Sequence, residues 1–270
     1  MLQIDRIAKT FNPGTVNEVR ALRGVSLTLP AGMFLIVLGT NGSGKSTLLN
    51  AIAGAFRVDS GSISIAGEKI TNWPEHRRAR LIGRVFQDPF RGTAPTMTIA
   101  ENLMLASRRG RARGLGLAVN RRSIAELRER VRPLNMGLED RLHNPIGSLS
   151  GGQRQALTLL MASWLKPELL LLDEHTAALD PKTADQIIRL THEIVMRDKL
   201  TTLMVTHSML QAVNLGERIV MMHKGQILHD LEGSDRARVR PEDLLRRFDD
   251  VRRREQLDGE VAAMLAASYI

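Results

Sequence analysis

Met33-Phe34-Leu35-Ile36-Val37-Leu38-Gly39-Thr40-Asn41-Gly42-Ser43-Gly44-Lys45-Ser46 is the stretch on which the fold turns. Its first six residues are an unbroken apolar run, the pattern of a central strand covered on both faces. Gly39 to Ser46 then fits G-x-x-x-x-G-K-[ST], and Lys45 to Ala53 reads as a helix closed by Gly54. Glycines let backbone N–H groups close on phosphate oxygens, and the helix N-terminus adds the positive end of a dipole. In that frame Gly39, Asn41, Gly42, Ser43 and Gly44 form a phosphate cradle. Lys45 reaches the outer phosphates, and Ser46, with Thr47 beside it, offers a hydroxyl to Mg²⁺.

Working outward, Val25, Leu27 and Leu29 alternate with polar residues as in a half-buried strand, and Pro30-Ala31-Gly32 makes a turn. Ile63 and Ile65 suggest a short strand ending at Gly67. Residues 89–165 change character, with helical patterns at Ile99 to Ala106 and Ser123 to Val131 and few strand-like runs. From Leu169 the alternation of strand and helix returns. Leu169 to Leu172 is a buried strand, Pro181 to Arg197 a helix with proline at its start, and Leu203 to Val205 and Ile219 to Met222 further strands. Lys224-Gly225 suits a hairpin. The pattern is an α/β core, residues 1–88 and 166–240, interrupted by a helical insertion over 89–165. A helical extension follows over 241–270. There Leu257, Val261, Met264 and Leu265 share one face, which either packs on its own domain or makes a dimer contact.

Composition narrows the function. In 270 residues, 38 Lys+Arg against 29 Asp+Glu leave a net charge of +9, which favours acidic partners such as nucleotide phosphates, nucleic acid or anionic lipid. Aromatics at 3% argue against a base-stacking platform for single strands. The absence of cysteine excludes disulfides, thiolate zinc sites and thiol catalysis. No apolar run is long enough to span a membrane, and the N-terminus lacks the apolar region of a signal peptide. The expectation is a cytosolic chain that reaches a membrane only through another subunit. Arg108, Arg109, Arg111, Arg113, Arg121 and Arg122, set among glycines, read as a solvated loop or as a contact with anionic lipid.

Leu170-Leu171-Leu172-Asp173-Glu174 supplies the acids that a phosphate loop needs. A buried strand delivers Asp173 to the metal side, and Glu174 can polarise a water in line with the γ-phosphate. Adjacent acids at a strand end can also cap the next helix; the phosphate loop favours the catalytic reading. Leu149-Ser150-Gly151-Gly152-Gln153 precedes a helix through Leu157, Leu160, Met161 and Leu165. Ser150 is a good N-cap and the glycines allow close backbone approach, so the purpose would again be a phosphate at a helix N-terminus. A chain with one phosphate loop needs no second, unless it serves a neighbouring chain's nucleotide.

These motifs resemble those of the ATP-binding cassette (ABC) family, and specifically a free-standing transporter ATPase subunit, over roughly residues 2–245. Leu149 to Gln153 matches the family signature letter for letter. Val85-Phe86-Gln87-Asp88-Pro89 is similar to its Q-loop, Ala177-Ala178-Leu179-Asp180 to its D-loop, and Val205-Thr206-His207 to its switch-histidine segment. Phe11 stands where the family places an aromatic that stacks on adenine; otherwise it is a core residue ending the first strand.

The resemblance implies an α/β phosphate-loop core with an antiparallel β subdomain and a helical signature subdomain. It further implies ATP and Mg²⁺ as cofactors, with Glu174, His207 and Gln87 as catalytic residues. Phe11, the phosphate loop and Ser150, Gly151, Gly152 and Gln153 bind nucleotide, and Ser46, Gln87 and Asp173 hold metal. The dimer it implies is head to tail, with ATP between one chain's phosphate loop and the other's signature. That sandwich drives permease subunits that dock on the helical insertion near the Q-loop. Two departures stand out: His175 replaces a common proline, so this loop is expected to be less rigid, and Ala178 replaces a common serine. His76, His143, His192, His223 and His229 show no metal-ligand spacing, and Trp73 and Trp164 read as packing residues.

The leading reading is the ATPase of a bacterial importer, peripheral on the cytoplasmic face of the inner membrane. Phe11-Asn12-Pro13-Gly14-Thr15 and Asp173 to Ala178 resemble the subgroup for aromatic amino-acid uptake, in which an extracytoplasmic solute-binding protein is a further partner. Alternatives are an exporter, a lipoprotein-release machine or a cell-division complex. A cytosolic nucleic-acid or ribosome ATPase fits the charge, but the chain has one cassette and no coiled coil or zinc module, so no nucleic-acid partner is expected.

Overall fold

In the computed structural model, which describes residues 1–110 and 120–250 (Arg121 by its backbone only), two sheets and a helical layer enclose the phosphate loop. The first sheet is antiparallel, built from β1 (Leu2–Phe11), β2 (Val19–Leu29), β4 (Ser60–Ile65) and β5 (Glu68–Lys69) in the order β2-β1-β4-β5. The second combines β3 (Phe34–Gly39), β6 (Ile82–Val85), β7 (Leu169–Asp173), β8 (Thr202–Val205), β9 (Arg218–His223) and β10 (Gln226–Leu231) in the order β10-β9-β3-β8-β7-β6. Five of these are parallel, and β10 pairs antiparallel with β9 across a Lys224-Gly225 turn, both residues at positive φ.

All six residues of β3 are buried, because the strand lies between β8 and β9 and is covered on both faces. Alternation sends Leu35 and Val37 to one core with α1 (Lys45–Ala53) and the antiparallel sheet. Phe34, Ile36 and Leu38 join another with α6 (Pro181–Asp198) and α7 (Met209–Leu215). A third core holds the helical insertion: Ile99 and Leu103 of α3 (Ile99–Ser107), Leu127 and Val131 of α4 (Arg121–Val131), and Leu157 and Leu160 of α5 (Gly151–Ser163). The helix starts follow capping chemistry. Thr98 and Glu101 exchange backbone and side-chain bonds at α3, and Asp180 Oδ1 accepts from Thr183 N at 3.1 Å ahead of Pro181 in α6.

Register places the functional segments. Val37 of β3 is level with Val205 of β8, Asp173 of β7 with the same Val205, and Val85 of β6 with Leu172. The carboxyl ends of four parallel strands therefore share one edge of the sheet, where ligands of open α/β sheets bind.

Some expectations change. Phe11 is the last residue of β1 and is half-buried rather than a core residue. Among the arginines between α3 and α4, Arg109 is half-buried and donates through Nη2 to Ala162 O at 3.1 Å, so it caps the end of α5 instead of facing solvent. Arg122 is exposed and lies 3.5 Å from Glu126, while Arg111 and Arg113 lie outside the described residues. Leu257, Val261, Met264 and Leu265 also lie outside them. Trp73 and Trp164 pack against the hydrophobic cores, each with a guanidinium over its ring.

Candidate functional site

Gly44 begins the site. Its φ of 100° lies in the left-handed region, and a Cβ there would stand 2.6 Å from Ala21 O, so only glycine lets the loop turn into α1 against β2. The turn between β9 and β10 secures the loop from outside: Gly225 N donates to Ser43 O at 2.9 Å, and Arg23 N to Gly225 O at 2.9 Å. The Lys45 ammonium donates to the carbonyls of Gly39 and Thr40 at 2.8 and 3.0 Å and is only 5% exposed. Burial lowers its pKa, with the carboxylates of Glu174 and Asp173 opposing. Ser43 Oγ is buried without a protein partner, as an atom awaiting a ligand would be.

A cleft of about 700 Å³ opens over this loop. Phe11, Val19 and Ala21 line it from the antiparallel sheet, and Asn41 to Thr47 from the loop and α1. Gln87, Glu174 and His207 line it from beyond β6, β7 and β8. Phe11 is half-buried, edge-on to Phe56 with centroids 5.2 Å apart. Gln87 is exposed, and the segment before it is held by buried Gln155, whose Nε2 donates to Phe86 O at 3.3 Å.

Asp173 closes β7. Burial raises its pKa, while Arg84 at 3.6 Å pulls it the other way. Glu174 follows with φ 44°, a strained conformation for a residue bearing a Cβ. Its N–H bonds Val205 O at 3.0 Å, tying it to β8. His207 Nε2 lies 2.6 Å from Glu174 Oε1, the carboxylate mostly buried and the imidazole half-exposed. Ser46, Gln87 and Asp173 offer a hydroxyl, an amide and a carboxylate, an all-oxygen set that suits Mg²⁺.

Ser150, Gly151, Gly152 and Gln153 do not line this cleft. Ser150 Oγ accepts from Gln153 N at 3.2 Å and Gln153 Oε1 from Ser150 N at 3.3 Å, so the two cap α5 reciprocally. The glycines differ in purpose. Gly151 is exposed, whereas a Cβ on buried Gly152 would lie 2.2 Å from Thr183 Cγ2, so Gly152 is glycine because α5 packs on α6. That is a packing reason beside the approach to a phosphate that the sequence suggests.

His175 departs from the expected looseness. It is 1% exposed, and its Nε2 is 3.0 Å from Thr191 Oγ1, which itself donates to Ile187 O at 2.8 Å. The hydroxyl proton being committed, Nε2–H is the donor, and Nδ1 is left buried without a partner. Burial lowers the His175 pKa to about 4. Between the ordinary value near 6.5 and about 4, the unfolded chain binds a proton that the folded chain refuses, so stability falls as pH falls through that window. From about pH 7 to 4.5 the wild type is expected to lose about 2 to 3 kcal/mol more than His175→Gln, measured by urea unfolding. Parallel pH dependences of the two proteins would refute this.

A parallel-strand edge bearing a phosphate loop, paired acids and a histidine defines a nucleotide-hydrolysing phosphate-loop protein. Comparison with known proteins sharpens that class. A family profile described as "ABC transporter" matches residues 22–177. The chain is similar to the tyrosine transport ATP-binding protein of Clostridioides difficile (strain R20291), at 41% identity over 92% of this chain and 99% of that protein. It is 36% identical to lipoprotein-releasing system ATP-binding protein LolD 1 of Caulobacter vibrioides, over 80% of this chain and 89% of that one. The fold is similar to a solved dimeric, post-hydrolysis cassette, MJ0796 bound to ADP and Pi. That match has a TM-score of 0.73 at 30% identity, over 86% of this chain and 98% of that one. The chain belongs to the ABC transporter family and is its ATP-binding, ATP-hydrolysing component.

Proposed function

We propose that the chain powers a bacterial importer of small solutes, of the amino-acid type, and works as a dimer that closes head to tail on two nucleotides. The observation that carries the head-to-tail dimer is the division of the site. Asn41 to Thr47, Gln87, Glu174 and His207 line one cleft, while Ser150 to Gln153 cap a helix outside it. A second copy would bring that helix N-terminus to the γ-phosphate.

In this reading the amides of Gly39 to Gly44 and the Lys45 ammonium hold the phosphates, and Phe11 stacks on adenine. Ser46, Gln87 and Asp173 hold Mg²⁺, which when bound would offset charge on the outer phosphates. Glu174 orients the attacking water and takes its proton, and His207, held on the Glu174 carboxylate, contacts the γ-phosphate. Gln87 links this chemistry to the helical insertion.

The partners are a transmembrane permease and an extracytoplasmic solute-binding protein, with the chain peripheral on the cytoplasmic face of the inner membrane. Among the described residues no helix is long and apolar enough to cross a membrane. The tyrosine-transport relative supports an amino-acid cargo, and the lipoprotein-releasing relative supports outward work as the second reading. A deletion strain is expected to lose uptake of radiolabelled tyrosine or tryptophan, regained with the wild-type gene but not with Lys45→Ala. Normal amino-acid uptake with lipoproteins retained in the inner membrane would instead favour release.

A further inference from the structure

Beneath the Glu174–His207 contact a second set of bonds joins the same two strand ends. Gln211, in the first turn of α7, accepts through Oε1 from Thr206 Oγ1 at 2.6 Å, and its Nε2 donates to Thr176 Oγ1 at 3.4 Å. Thr206 immediately precedes His207, and Thr176 stands two residues after Glu174. Both threonines are buried, at 5% and 9% exposure.

Thr206 Oγ1 also accepts from Ser208 N at 3.1 Å, and its own proton goes to Gln211 Oε1. The amide nitrogen is then turned to Thr176. Ser208, the N-cap of α7, holds Gln211 in place by accepting from its backbone N–H at 3.2 Å.

We propose that Gln211 is a positioning residue for ATP hydrolysis: its side-chain amide clamps the segment after Glu174 to the segment before His207 and so sets how carboxylate and imidazole meet. Glu174 needs such support, because a left-handed conformation persists only where the surroundings over-determine it. The inference rests on the roles given to Glu174 and His207 above. It adds a residue that does not line the cleft.

The test is single-turnover hydrolysis by the full chain at saturating Mg-ATP, with ATP affinity measured separately. Gln211→Leu removes both bonds at similar volume and is expected to slow turnover about 10- to 100-fold, the usual effect of losing a residue that orients a reacting group, with ATP affinity unchanged. Gln211→Glu should recover most of the rate, since both threonine hydroxyls can donate to its carboxylate. Wild-type turnover in Gln211→Leu, equal loss of affinity and turnover, or a Glu variant as slow as the Leu variant would each overturn the proposal. If Gln211→Leu does not fold, Thr206→Val, which cuts one arm, must show the same separation of rate from affinity, and a wild-type rate there overturns it. Glu174→Gln run alongside separates the two layers. Wild-type turnover in that variant defeats the reading of the pair itself. An inactive Glu174→Gln beside a fully active Gln211→Leu defeats only the clamp.

Discussion

Glu174→Gln is expected to bind Mg-ATP with wild-type affinity and to hydrolyse it about 10²- to 10⁴-fold more slowly, the range that a positioned general base supplies. The amide keeps the shape of the carboxylate and an oxygen beside His207 Nε2, now 2.6 Å away, but has no basic site for the proton of water. Binding should survive because the phosphate contacts belong to Lys45 and the loop amides, on a different strand end. With hydrolysis stopped, the protein should accumulate as a closed dimer with two trapped nucleotides, seen by light scattering and nucleotide content. Wild-type turnover, or a monomer that persists at saturating Mg-ATP even beside the permease, would show that the catalytic centre lies elsewhere.

Arg78→Met is expected to cost about 3 to 5 kcal/mol of stability, measured by denaturant unfolding. Arg78 is 2% exposed, and its guanidinium bonds four carbonyls: Ala51 O and Ile52 O through Nη1 at 2.7 and 2.8 Å, Thr71 O through Nη2 at 2.8 Å, and Trp73 O through Nε at 2.9 Å. Two of these belong to the last turn of α1, where carbonyls lack helical partners and carry the negative end of the dipole. Methionine fills the volume and leaves all four unpaired. Gly54 belongs to the same arrangement, since a Cβ on it would lie 2.8 Å from Arg78 Nε. Arg78→Lys should recover only part of the loss, because a single ammonium cannot reproduce the fork. A loss below about 1 kcal/mol for the methionine variant would mean that water reaches those carbonyls.

What could be read from the chain depended on how far its signals reach. The bounds of α1, and the start of α6 at Pro181, were legible because caps and proline act within one turn. β3 was legible because burial on both faces leaves six consecutive apolar residues. β6 was not, since Ile82–Val85 contains Gly83 and Arg84 and its strand character comes from pairing with β7. The site's main members sit in short local motifs that announce themselves. His175 and Gln211 do not, because their partners come from another helix or another strand end: Thr191 for one, Thr206 and Thr176 for the other. Gly152 was visible as a glycine, but its reason lies in Thr183, 31 positions on and on a different helix.

The neighbours of β3 have a consequence for how the protein is born. The strand carrying the phosphate loop is Phe34–Gly39, yet both strands that flank it, β8 and β9, begin at Thr202 and Arg218. At about 5 to 20 residues per second of synthesis, the ribosome needs roughly 10 to 30 s to deliver them. Until then a six-residue apolar strand waits with two unpaired edges, the kind of segment that recruits foreign strands or a chaperone. Ordering of the phosphate loop is thus a late event, and nascent chains released before β8 emerges should aggregate through β3 rather than persist as folded N-terminal fragments.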